Sequence, residues 1–345
     1  MAFFFTPVVR NAAKSKLLNI GAVLVVLVVI AAVVSPNFLT AYNLQSVVRD
    51  LSFVIIITIG QSCLLLLGEL DLSVGKMASL SGVIGGILML HGNVPPYLAL
   101  LVSLLCGLLL GIVNGLIITR LKLNAMIVTI ATQGVYAGIT LVITRGRAIV
   151  GIPAAIHYLG RGVVAGVPVP FVIACALLVF VLLLTQKTPF GRYMYAIGNN
   201  KEAARILGVN VNAVRTVAYA MMGLFCAVAG LLMIARLGNS QPAIGDVWVM
   251  NSIAASVIGG VALTGGVGNP FGAVIGACIL SIIQNMIVLF NVNTYWQTAV
   301  SGIVVLIAIS FDSLGGIVGE ARARRRALAR RKKEAKAVLQ GEEKP

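Results

Sequence analysis

Gly68-Glu69-Leu70-Asp71-Leu72-Ser73-Val74-Gly75-Lys76 sets two acids and a lysine between apolar stretches at 52–67 and 72–90, neither of which crosses a bilayer comfortably alone. A carboxylate at mid-bilayer costs about 2.5–3.5 kcal/mol on insertion scales, so the chain must hold these acids in a polar cavity, at an interface or at a helix end. Gly68 permits a break, and Asp71 or Ser73 can cap the helix that follows, whose free N–H groups and positive dipole end favour an anion. Two roles stay open. Either Asp71 is a cap that rigidifies a broken span, or Glu69, Asp71 and Ser73 line a polar route; in both, Lys76 is placed to neutralise one acid.

Around this segment the chain is overwhelmingly apolar. Of 345 residues, 59% are hydrophobic and 10% charged, which leaves too little polar surface for a water-soluble fold. The formal charge of +16 could suggest nucleic acid, but ten of the 26 basic residues lie between Arg322 and Lys344, so a basic tail on a membrane body is expected and no nucleic-acid partner. The five cysteines lie inside apolar runs without metal or redox spacing, and His91 and His157 fall in different loops, so no metal site is expected. Gly75-Lys76 lacks the rest of a phosphate-binding loop, so nucleotide hydrolysis is not expected of this chain.

Ten spans are predicted, near 17–35, 52–67, 72–90, 97–119, 125–143, 169–186, 214–235, 250–264, 271–290 and 295–312, the second, third and eighth being the least regular. The first is too long for a secretory signal core and has no convincing cleavage site after it, so it reads as an uncleaved span. With both termini in the cytoplasm, 20 basic residues lie inside and five outside (Arg49, Arg145, Arg147, Arg161 and Arg236), with Lys76 unassigned. Residues 1–16 then form a cytoplasmic N-terminus, 17–312 the transmembrane domain and 313–345 a basic cytoplasmic tail. Residues 144–168 are expected as an irregular external loop. Residues 187–213 are expected to carry one short cytoplasmic helix, capped by Asn199 or Asn200, with Glu202 in its first turn and Gly208 as its stop.

Gly107, Gly111 and Gly115 recur every four residues in the fourth predicted span, and Gly268, Gly272 and Gly276 do so entering the ninth, a spacing that lets helices pack closely. Two such rows five spans apart would suit an inverted repeat of two five-helix halves. Gln61, Asn114, Thr129, Thr132, Gln133, Asn251, Ser252, Gln284, Asn285 and Gln297 add neutral polar groups within spans, suited either to interhelical bonds or to the hydroxyls of a polyol.

Three segments carry a family resemblance: GELDLSVG at 68–75, GRYMYAIGNNKEAARILGVNV at 191–211, and IAASVIGGVALTGGVGNPFGAVIGACIL at 253–280. In order and spacing they resemble the ribose-type permease subunits of bacterial ABC importers for monosaccharides. Glu69 stands where the family often has Gly, and Lys76 where a small residue is common. The resemblance implies a multi-pass subunit of the bacterial inner membrane that pairs with a second copy or paralogue. It further implies partner ATPase subunits that bind ATP and Mg, an extracytoplasmic sugar-binding protein, and no cofactor or metal in this chain. The 191–208 segment would be the element coupled to the ATPase, through Gly191, Arg192, Ala196, Gly198, Glu202, Ala203, Ala204 and Gly208, with Ala203 and Ala204 sharing the docked face. Gln61, Glu69, Asp71, Ser73, Asn114 and Asn285 are the candidate path or broken-helix residues. The alternative is a self-sufficient ion-coupled transporter or channel using Glu69 and Asp71. An intramembrane enzyme lacks a nucleophile with a base or metal ligands, and the particular sugar is not legible.

Overall fold

The computed structural model describes the backbone of residues 7–92, 94–293, 295–307 and 310, and side chains from Leu17. Two compact units, Met1–Val305 and Leu306–Pro345, divide the chain, and the first holds the helical bundle. The predicted tail 313–345 lies outside the described residues.

The helices are α1 (Pro7–Val34), α2 (Ala41–Leu66), α3 (Val74–Leu90), α4 (Pro96–Arg120), α5 (Ala125–Thr144), α6 (Ala154–Arg161), α7 (Val169–Lys187), α8 (Pro189–Asn199), α9 (Lys201–Ile206), α10 (Val211–Leu237), α11 (Trp248–Ile258), α12 (Pro270–Leu289) and α13 (Trp296–Ile307). Seven are long and apolar enough to cross a membrane: α1 over Leu17–Val34, α2, α4, α5, α7, α10 and α12. Three more, α3, α11 and α13, are apolar but shorter. The second predicted span extends well before residue 52, because Arg49 and Asp50 interrupt its hydropathy without interrupting its helix. Asp50 pairs with Arg236 near the end of α10.

Local chemistry sets the ends. Thr40, Asn124, Thr188, Asn200, Asn210 and Asn269 each accept a first-turn backbone N–H at the start of α2, α5, α8, α9, α10 and α12. Gly68, Gly208 and Gly238 stop α2, α9 and α10 at positive φ. The 144–168 loop is more ordered than expected: α6 sits in it, β1 (Ile149–Val150) pairs with β4 (Asn239–Ser240), and β2 (Val163–Val164) pairs with β3 (Val167–Pro168). The 187–213 segment carries two helices, α8 and α9, rather than one. Asn200 accepts from Ala203 N–H at 2.9 Å and breaks the segment between them.

Two helical paths are interrupted, each just before a short helix: 67–73 before α3, and 241–247 before α11. The packing exchanges partners between the halves. α10 packs on α3 and α4, while α2 packs on α11, α12 and α10. From Leu51 to Leu66 α2 is buried on every face, whereas α1 is mostly exposed apolar surface. Gly107, Gly111 and Gly115 all face α10, where added Cβ atoms would collide with Gly223, Tyr219 and Thr216. Gly272 and Gly276 meet α11 at Gly259 and Ala255. Gly268 is not a helix-packing position: at φ +140 it lies in the loop before α12, against Val261.

Candidate functional site

The first interruption is a closed polar clasp. Asp71 is fully buried, and its Oδ1 accepts from the Ser73 backbone N–H at 2.8 Å and from the Ser73 hydroxyl at 2.6 Å. From α4, Asn114 donates to Ser73 Oγ at 2.9 Å and reaches Asp71 Oδ2 at 3.4 Å. The Tyr136 hydroxyl of α5 donates to Asn114 Oδ1 at 2.9 Å. Buried polar groups satisfied in this way rigidify what they join, here the approach to α3 with α4 and α5. Asp71 makes an Asx turn on Ser73 and takes no N–H from α3 itself, while Ser73, the N-cap residue, makes no side-chain cap bond.

Glu69 turns the other way and pairs with Arg215, near the start of α10, both side chains being nearly buried. Tyr219 adds a bond from its hydroxyl to the Leu70 carbonyl at 3.2 Å. With both acids engaged, Lys76 neutralises neither. It pairs instead with Asp246 Oδ1, at 2.5 Å, at the second interruption. The first turn of α3 touches the second interruption through glycines, where a Cβ on Gly245 would lie 2.7 Å from the Gly75 carbonyl oxygen.

The six candidate path residues therefore fall in separate places. Asp71, Ser73 and Asn114 form the clasp, and Glu69 sits beside it on Arg215. Gln61 is fully buried on α2, with neither amide atom bonded among the described residues. Asn285 exchanges bonds of 2.9 and 3.1 Å with Asn43, in the first turn of α2 and remote from the clasp. Asn251, Gln284 and Ser301 form another cluster joining α11, α12 and α13, with bonds of 2.8–3.2 Å.

α8 is seated between the end of α2, where the first interruption begins, and the loop that follows α11. Gly198 has space for no side chain, because a Cβ there would strike the Leu66 carbonyl and the Gly266 backbone. Tyr195 donates to the Gly268 carbonyl at 2.9 Å, and Asn199 to that of Gly266 at 3.4 Å. Gly191 is buried against Thr185, while Arg192 and Ala196 are exposed. On α9 the two alanines do not share a face: Ala204 is 2% exposed and Ala203 is exposed. The uncovered tip is Ile206 and Leu207, 85% and 81% exposed, beside the surface pair Arg205–Glu202 at 3.1 Å. Lys201 is held below the ordinary lysine range, chiefly by partial burial and then by Arg215.

Tyr136, Arg215, Asp246 and Ile206–Leu207 escape the reading by sequence alone. One signal could have found Asp246: apart from Glu202, no other acid lies between residues 72 and 311 to balance Lys76.

Residues 43–309 match the family described as branched-chain amino acid transport system / permease component. The ribose import permease protein RbsC of Bacillus subtilis is 38% identical over 291 residues, 84% of this chain and 90% of the relative. RbsC of Escherichia coli K12 is 33% identical over 294 residues, 84% and 91% of the two chains. The autoinducer 2 import system permease protein LsrC of Escherichia coli is 34% identical over 306 residues, 89% of each. Seven apolar helices and relatives that are transport subunits rather than enzymes make this a multi-pass bacterial membrane protein. The chain belongs to that family of permease components, as a relative of ribose and autoinducer 2 import permeases.

Proposed function

We propose that the chain is the membrane-spanning subunit of an ATP-driven, binding-protein-dependent importer for a monosaccharide or related polyol. The seating of α8 is the observation that carries this reading. A single rigid piece touches the end of α2 at Leu66 and the loop after α11 at Gly266, so force on α8–α9 reaches both interrupted paths at once. The Glu69–Arg215 pair adds a second link, from the first interruption into α10 directly after α9. Exposed Ile206 and Leu207 give a partner ATPase an apolar anchor, with Ala203 at its edge and Arg192, Ala196 and Glu202 on the open side.

In this reading α3 and α11 complete crossings begun by the non-helical segments 67–73 and 241–247, α13 supplies the tenth, and both termini lie with α8–α9 on the cytoplasmic side. An extracytoplasmic binding protein delivers the sugar at the opposite end, near α6. A second permease, identical or paralogous, closes the path, and ATP and Mg are held by the partner ATPases. The Asp71 clasp supports a structural role at the first interruption, since every bond it makes is internal. It also weakens the ion-coupled alternative, which needs Asp71 open to an ion.

Proteoliposomes holding this chain, its ATPase and its binding protein should accumulate sugar on ATP addition, and ionophores should not prevent it. Ile206→Asp with Leu207→Asp should leave the purified chain monodisperse but release the ATPase, cutting uptake at least about tenfold, as loss of an interface anchor does. Concentrative uptake by this chain alone, driven by an ion gradient, overturns the reading.

A further inference from the structure

Among the described residues, the Lys76–Asp246 pair is a charged feature inside the bundle that the coupling reading leaves unused. Its depth follows from its neighbours. Asn114, which meets Ser73, lies six residues inside the end of α4, roughly 9 Å. Ala78, two residues after Lys76, packs on Gly230, seven residues inside the far end of α10 and again roughly 10 Å deep. Lys76 lies between these levels, well within the apolar helices. Yet neither partner is sealed: the Lys76 side chain is 19% exposed and that of Asp246 47%. Charges at such depth face protein or water rather than hydrocarbon, because exposure to lipid is too costly. Asp71, at a similar depth, shows the alternative, being fully buried with its bonds made internally.

The pair also sits where two helix N-termini meet. Lys76 is in the first turn of α3, and Asp246 stands two residues before α11, whose N-cap residue Val247 supplies no side-chain bond. Oδ1 of Asp246 is taken by Lys76, which leaves Oδ2 as an acceptor and the remaining ammonium hydrogens as donors. Together they carry no net charge.

From this geometry we infer that Lys76 and Asp246 contact the passing solute, offering a neutral, polyhydroxylated compound one acceptor and one donor group for adjacent hydroxyls. The inference rests on the importer reading and adds the place in the chain that meets cargo. Charge-assisted bonds give the contact strength, while the internal pairing keeps it weak enough to release the solute.

The test uses the full complex of permease, ATPase and binding protein in proteoliposomes, with radiolabelled d-ribose, d-xylose, d-galactose and myo-inositol as probes. Lys76→Met with Asp246→Asn removes both charges and strands neither. Expected are normal assembly, binding-protein-stimulated ATP hydrolysis within about twofold of the unaltered complex, and sugar delivered per ATP lowered by about tenfold, the value of one charge-assisted bond. Unchanged delivery per ATP overturns the inference. So does loss of assembly or of ATPase stimulation, which would make the pair a brace between the interruptions. Exchanging the charges, Lys76→Asp with Asp246→Lys, preserves a brace but reverses the groups shown to cargo. A changed order of preference among the sugars is expected, and an identical order and rate overturns the inference. If the unaltered complex moves none of the four probes and its ATP hydrolysis is not stimulated by the binding protein, the importer reading itself fails, a result separate from any variant's.

Discussion

The two interruptions are alike in outline and opposite in chemistry. Before α3, Asp71, Ser73, Asn114 and Tyr136 satisfy one another and bind the segment to two neighbouring helices. Before α11 no side chain caps the helix; it is held by packing, with Trp248 stacked on Phe53 at 6.1 Å between ring centroids, and by the Asn251–Gln284–Ser301 bonds further along. A broken helix in a membrane protein can thus be kept by saturating its polar groups or by packing them against a neighbour while one charge stays open. The first makes a fixed wall. Under the proposed coupling, the second leaves a wall that α8, touching the loop beyond α11, would shift with fewer bonds to break.

Four substitutions break or sharpen this contrast. Gly75→Leu strikes the contact between the first turn of α3 and the second interruption, where a Cβ already collides with the Gly245 carbonyl, so loss of the monodisperse peak on size-exclusion chromatography in detergent is expected. Trp248→Ala removes the buried stack holding the second interruption. It should cost about 3 kcal/mol, seen as a lowered midpoint of thermal unfolding followed with a thiol-reactive dye at the buried cysteines. Asp71→Ala leaves the Ser73 N–H unpaired and should cost about 2 kcal/mol in the same assay, with Tyr136→Phe, at the edge of the network, costing about 1 kcal/mol. Equal effects of Tyr136→Phe and Trp248→Ala would erase the distinction between a bonded and a packed interruption.

How much of this could be read beforehand depended on range along the chain. Local signals served well. The break at Gly68, the stop at Gly208 and the rows at Gly107–Gly115 and Gly272–Gly276 depend on neighbours a few residues away, and each lies at a turn or a close helix contact. Pairing across the fold was not legible. Lys76 has two acids within seven residues and bonds to one 170 residues distant, because the clasp and Arg215 have already taken the nearer two. Helix face was missed on α9, where six residues are too few for periodicity to show that Ala204 points inward and Ala203 outward. Asn285 reads as a path residue because any amide within a span does; its tie to Asn43, which joins α12 to α2, has no signal in the sequence.

The exchange of partners between the two halves has a consequence in time. α2 is wrapped by α10, α11 and α12, and the glycine face of α4 is filled by α10, yet α10 is completed about 170 residues after α2 leaves the ribosome. α4 is completed about 117 residues before α10, so at about 5–20 residues per second roughly 6–23 s pass with Gly107, Gly111 and Gly115 facing no final neighbour. The clasp can already join α3, α4 and α5 in that interval, but the face of α4 that meets α10 stays unfilled, so fragments divided at the loop after α5 are expected to fold only when they are combined.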